Sequence, residues 1–240
     1  SRGAVLKSPY CDDPHNYGFL RTDIKDLKYY ANEIAGMGFQ MNTHAIGDST
    51  VSVLLKEYQK VLNDIEDPRW RIEHSQVVDL NEFELYNDKI LPSVQPTHAT
   101  SDMYWAYDRL GKRIDGAYAF KDLLSQSKRI ALGTDFPVEK VNPFHTFYSS
   151  IERKDLNGYP ENGFQIENAL TREETLKGMT IWGAYFNFEE DEKGTIEKGK
   201  SADFIIIDQN IMKIEADKIP YTKVLKTFVD GELVFQKDAL

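Results

Sequence analysis

Three polar side chains stand at the ends of three separate, largely apolar runs: His44 after GFQMNT, His74 after RWRIE and Asp135 after RIALGT. Imidazole nitrogens with a carboxylate oxygen are the ligand set expected for zinc or a similar divalent cation, and an open coordination position on such a cation would activate water. Each residue alone has a plain structural explanation, as a hydrogen-bonded histidine or as an aspartate capping the turn before Phe136-Pro137. Three occurrences of one form outweigh those explanations. His98 ends ILPSVQPTH and is a fourth candidate, either as a ligand or as a neutral donor to substrate, although Pro96-Thr97 already accounts for a bend there. His15 and His145 lie in loops beside Pro or Phe and receive no role. Nucleophilic catalysis reads poorly: Ser75 follows His74 without a G-x-S-x-G elbow, and Cys11 sits in a Pro-rich loop without a placed base. Gly36-x-Gly38 is too short for a phosphate loop and precedes a strand.

To converge, these groups must come from strand ends in one sheet. Residues 1–20, with Pro9, Pro14 and Gly18, read as an irregular loop. TDIKDLKYYANEIAG at 22–36 predicts a helix with Thr22 as N-cap, a stripe of Leu27, Tyr30, Ala31 and Ile34, and Gly36 as its stop. A strand over 38–44 then turns through Gly47 and Asp48 into an amphipathic helix reaching Leu62. The unit recurs as strand Arg69–His74 with helix Asn81–Asn87, and as strand Ile90–His98 with a helix over 117–125. The fourth strand is 129–137, followed after a long loop by a helix over Thr171–Phe188, where Thr171 and Glu174 form a capping-box pattern. Four alternations predict an α/β fold with a parallel sheet and right-handed crossovers, open or closed. Asp135 would then end a buried strand, where metals and substrates sit in α/β enzymes and where an unpaired charge is costly. After Phe188 the texture changes to an acidic stretch, a turn at 198–200, and strands over 203–207, 224–229 and 232–235, the last two joined by Asp230-Gly231. The expected organisation is a body over 1–188 and a small β element over 189–240.

Composition sets the remaining bounds. With 240 residues the chain is one large or two small domains, with length enough for a substantial core. A formal charge of -10 argues against nucleic-acid and anionic-membrane partners, which demand excess Lys and Arg. No run of about eighteen apolar residues offers a membrane span, and the first residues contain no apolar signal-peptide core. Cys11 is the only cysteine, which excludes an internal disulfide and fits a reducing compartment, so a cytoplasmic protein is expected. The first residue is Ser, not Met, and the expectation is a fragment or processed product.

THAIGD at 43–48, RIEHSQ at 71–76, SVQPTHATSDM at 93–103, LGTDFPVEKVNP at 132–143 and GTIEKGKSADFIIID at 194–208 resemble the YtcJ-type branch (amidohydrolase family 3) of the metal-dependent amidohydrolase superfamily. The likeness runs over nearly the whole chain. It implies a (β/α)8 barrel whose fifth, sixth and eighth strands supply His44, His74 and Asp135 to one or two divalent metals, usually zinc. It further implies that metal-activated water attacks an amide-like or related C–N bond of a small molecule. Asp135 would be ligand and general base, and His98 would lie by the substrate. Family members also carry a His-x-His pair on the first strand and a lysine on the fourth, without counterparts here, and SRGAVL resembles the stretch just after that lysine. The resemblance therefore implies the C-terminal half of the barrel over 1–188, with a small β-sandwich element after it. Half a barrel exposes a parallel edge strand and apolar surface, so association with the missing N-terminal half or with a second copy is expected.

The leading expectation is a metal-dependent hydrolase portion that is active once completed. The rival, from another class, is a non-catalytic amidohydrolase-like domain serving in binding or assembly. Specificity is expected in loops 99–118 and 138–170, where Tyr104, Trp105, Arg109 and Phe144 either line a pocket or pack.

Overall fold

The computed structural model describes residues 2–238, and the chain divides after Ile130 into two units. In the first, α1 (Ile24–Gly36) begins at an Asp23 N-cap whose carboxylate accepts from Lys25 N at 3.0 Å, so Asp23, not the expected Thr22, is the cap. Then follow β1 (Asn42–Ala45), α2 (Asp48–Val61), β2 (Trp70–His74) and β3 (Ile90–Val94). The three strands are parallel, with β2 central, His44 level with Glu73 and Trp70 level with Ile90. Val51, Leu54, Leu55 and Tyr58 recur at helical spacing along α2, and all are fully buried. Each such side chain contributes about 1.5–3 kcal/mol when removed from water, so this stripe fixes the face that α2 turns inward. Tyr58 meets Trp70 of β2 edge-on at 4.8 Å and shares a 2.6 Å hydrogen bond with the Thr43 hydroxyl, tying α2 to both strands that carry a candidate ligand.

Two expected elements differ. The helix expected over 81–87 is a single 3-10 turn, Phe83–Leu85. The Asn87 side chain accepts from Lys89 N and Ile90 N at 2.8 and 3.1 Å, which stops the turn and starts β3. The strand expected over 90–98 ends at Val94, and α3 (Pro96–Leu110) follows after only Gln95. Pro96 has no N–H for a ladder, and its fixed φ suits the first helical position. His98 is therefore in the first turn of a helix, not at a strand end. The last helix of this unit is α4 (Phe120–Ser127).

In the second unit, β4 is only Ala131–Leu132, and the expected loop 138–170 contains α5 (Pro143–Glu152), capped by Asn142 accepting from Phe144 N at 3.0 Å. The helix expected over 171–188 is two, α6 (Arg172–Met179) and α7 (Ile181–Phe186), broken at Thr180 with φ -132° and ψ -97°. Its capping box is present: Glu174 N donates to Thr171 Oγ1 at 3.1 Å, and Thr171 N donates to Glu174 Oε2 at 2.8 Å. An antiparallel sheet follows, β5 (Phe204–Ile207), β6 (Val224–Val229) and β7 (Glu232–Gln236), with Asp230 and Gly231 at φ 50° and 80° closing the β6–β7 hairpin. Phe144, Phe147 and Tyr148 of α5 pack with Ile211 and Ile219 as a core. These helices group with the three-stranded sheet in the second unit. Among the described residues, no helix is long and apolar enough to cross a membrane.

Candidate metal centre

In a regular ladder, side chains alternate between faces, so His44 shares a face with its register partner Glu73, and His74 shares one with Ala45. That alternation would hold the two imidazoles apart. It is broken at the end of β2, where His74 and Ser75 both take left-handed backbone angles, φ 73° and 44°. The imidazoles of His44 and His74 consequently meet edge to face, with centroids 4.5 Å apart and planes at 77°. His98, carried on the first turn of α3, has its ring 5.8 Å from that of His74.

These spacings test the donor set. Two imidazoles that share one cation, each nitrogen about 2.1 Å from it, place their ring centroids roughly 4.5–5.2 Å apart for ligand angles of about 90–109°. The His44–His74 pair meets that spacing. His98 is wider at 5.8 Å, although one of its nitrogens lies within 4.8 Å of one of His74. His44 is thus in ring contact with His74, while the ligand nitrogens that come within 4.8 Å of each other are those of His74 and His98. His74 and His98 are half-buried and His44 is exposed, so the imidazole cluster is reachable from solvent.

The turn after His74 has its own supports. Ser75 Oγ donates to Ile72 O at 2.9 Å and accepts from the Tyr86 hydroxyl at 2.8 Å, all buried. One residue further, Gln76 Nε2 donates to Tyr118 Oη at 3.0 Å and to Asp102 Oδ2 at 3.3 Å, while the Tyr118 hydroxyl donates to the same carboxylate oxygen at 2.8 Å. Asp102 is one helical turn beyond His98, so this cluster joins the segment carrying His74 to the helix carrying His98. Sequence reading missed both sets; the signal available was the i, i+4 spacing of His98 and Asp102.

The loop before α2 is held by charge. Asp48 is buried, its carboxyl pushed up by that burial, and it accepts from Lys7 N at 2.9 Å. Burial opposes the charge of Glu82 as well. Hydrogen bonds from Lys56, Ser52 and Lys7 outweigh it and hold that carboxyl below the usual range.

Asp135 belongs to the second unit. It is half-buried and left-handed at φ 58°. Its backbone carbonyl, accepting from Val138 N at 2.8 Å, closes the turn, and Phe136 N donates to Thr134 Oγ1 at 3.3 Å. The turn thus uses main-chain and threonine acceptors. Phe144, a possible pocket residue from its sequence position, is buried in the core of its unit, whereas Arg109 stacks on Trp105 of α3 at 3.7 Å.

Imidazoles clustered at the carboxyl ends of adjacent parallel strands and the helix that follows are the site architecture of α/β proteins that work at a strand rim. The chain belongs to the amidohydrolase family, which it matches over residues 1–235. It is 32% identical over 244 residues to the putative amidohydrolase YtcJ of Bacillus subtilis, covering 98% of this chain and 45% of that protein. To the protein LONG AFTER FAR-RED 3 of Arabidopsis thaliana it is 30% identical over 240 residues, covering 98% of this chain and 41% of that protein. An uncharacterized metal-dependent hydrolase from Pyrococcus horikoshii superposes with a TM-score of 0.78 at 28% identity, covering 90% of this chain and 43% of that one. The chain thus spans less than half the length of these relatives.

Proposed function

We propose that this chain carries the C-terminal part of the active site of a metal-dependent hydrolase that cleaves the C–N bond of a small amide-like molecule. The observation that supports the reading most directly is the gathering of three imidazoles, His44 against His74 and the ligand nitrogens of His74 and His98 within 4.8 Å, at the ends of β1 and β2 and on the first turn of α3. Asp135 is assigned to the same centre on pattern and family membership: it ends its apolar run as His74 ends RWRIEH. When bound, a divalent cation, zinc in this proposal, supplies Lewis acidity and a water acidified toward neutral pH. His44 and His74 each offer an imidazole nitrogen. The Asp135 carboxylate takes the proton of the attacking water and returns it to the leaving nitrogen. His98 presents a ring N–H to the carbonyl oxygen of the substrate. The barrel strands and helices would end near residue 188, with a small β-sandwich element beyond. Activity requires the remaining part of the protein, because three ligands hold a metal more weakly than a completed set. That part, or a second copy of this chain, is the proposed partner.

The test is metal content after purification without added zinc, for the parent chain and His74→Ala, followed by hydrolysis of N-acyl and cyclic amide substrates with the remaining half supplied. Loss of bound metal in His74→Ala and activity on reconstitution are expected. Equal metal content in both removes His74 from the site. Metal binding without hydrolysis by the reconstituted protein favours a non-catalytic binding or assembly domain.

A further inference from the structure

Beyond the ligands themselves, we propose that the buried hydroxyl pair Ser75–Tyr86 is a positioning device that sets the aim of His74. The inference rests on the reading of His74 as a metal ligand. Two consecutive non-glycine residues in the left-handed region form a costly turn, and such a turn persists only where its surroundings over-determine it. The bonds that do so have a fixed direction. Ile72 O can only accept, so the Ser75 hydroxyl must donate to it, and the lone pair left on Ser75 Oγ takes the Tyr86 hydroxyl. Burial pushes the Tyr86 phenol up, which keeps it a donor across the working pH range. Tyr86 is itself anchored at the end of the 3-10 turn, its N–H donating to Phe83 O at 3.1 Å. Next in the chain, Val77 N donates to Ile46 O at 2.9 Å, pinning the exit of the turn. The hydroxyls bond to each other and to the carbonyl of Ile72, and they act by holding the backbone at which strand alternation breaks. Without that break, His74 would return to the face it shares with Ala45, and the 4.5 Å approach to His44 would be lost.

The test is a cobalt(II) titration of the chain, followed by visible absorption and zinc competition, with far-UV circular dichroism as the fold control. Tyr86→Phe and Ser75→Ala should each weaken metal binding about 10–100-fold with the fold retained, the range for groups that orient a ligand from behind. Ser75→Gly loses the same hydroxyl but adopts φ 44° without a Cβ penalty, so it should bind within roughly threefold of the parent. The contrast between Ala and Gly separates aim from general packing, because Gly leaves the larger gap beside Tyr86 and yet is the one that tolerates the left-handed backbone. Equal weakening by Ala and Gly, or parent-like binding by Ser75→Ala and Tyr86→Phe beside a loss in His74→Ala, overturns the positioning role. Should Tyr86→Phe fail to fold, the Ser75 pair decides alone. Absence of cobalt binding by the parent, or parent-like binding by His74→Ala, overturns the reading of the site instead.

Discussion

Removing Glu82 tests whether the charged cluster around it holds the fold. Its carboxylate, 9% exposed, accepts from Lys56 Nζ at 2.6 Å, Ser52 Oγ at 2.7 Å and Lys7 Nζ at 2.9 Å. It joins the N-terminal loop, α2 and the 3-10 turn that leads to Tyr86. The two lysine side chains remain 33% and 57% exposed, so solvent screens them and each pair contributes about 0.5–1 kcal/mol. Ser52 is buried, and in Glu82→Ala its hydroxyl donor loses that acceptor, at about 1–3 kcal/mol. The sum is about 2–5 kcal/mol, and at roughly 2–4 °C per kcal/mol for a chain of this size the midpoint falls by about 4–20 °C. Glu82→Gln keeps the acceptor and loses only the charge, so a drop nearer ~1 kcal/mol is expected. The sign with pH follows from the lowered carboxyl: its contribution is fully present above the ordinary glutamate range, about 4.3, and is lost as pH falls through the lowered value. The gap between parent and Glu82→Gln should therefore hold from neutral pH down to about 5 and narrow progressively as pH falls below the ordinary glutamate range. Calorimetry or circular dichroism melts across that range provide the assay. A Glu82→Ala midpoint within a degree of the parent, or a gap independent of pH, would refute the reasoning.

Two further substitutions probe the elements that carry the site. A Cβ at Gly47, between β1 and α2, would lie 2.1 Å from the backbone oxygen of Val5, so Gly47→Ala must displace the N-terminal loop; a loss of about 2–4 kcal/mol in urea unfolding is expected, and an unchanged midpoint would show that the loop yields freely. Thr171→Ala removes the N-terminal half of the α6 capping box and should cost about 1 kcal/mol by calorimetry, with Thr171→Ser recovering most of it.

Features written in contiguous residues were legible in the sequence. The α2 stripe, the Thr171 capping box, the Asp230-Gly231 hairpin and the strand runs that deliver His44 and His74 each depend on spacing within one element, and the motifs around them placed the chain in its family. What was lost depended on how two signals compete. Pro96 could bend a strand or open a helix; the missing N–H favours the helix, and α3 with His98 in its first turn stands where the apolar run predicts a strand end. Asn142-Pro143 is the same start signal, passed over because it lies inside a segment rich in loop residues. The supports of the centre were invisible for a different reason: Ser75 meets Tyr86 eleven positions away, and Gln76 meets Asp102 and Tyr118 at 26 and 42, pairings that only the folded backbone creates.

The one-residue connection from β3 to α3 carries a further consequence. Each residue added to a helix swings everything beyond it by about 100° and advances it about 1.5 Å. A single amino acid inserted between Pro96 and His98 would therefore carry His98 to another side of its cylinder, together with Asp102 a turn later. The segment from Val77 to Asn87, irregular apart from one 3-10 turn, is held by main-chain bonds at Val77 and Val78 and by the Asn87 side chain, and has no such phase to keep. Length variation among homologues should fall there, while the Val94–His98 spacing stays invariant.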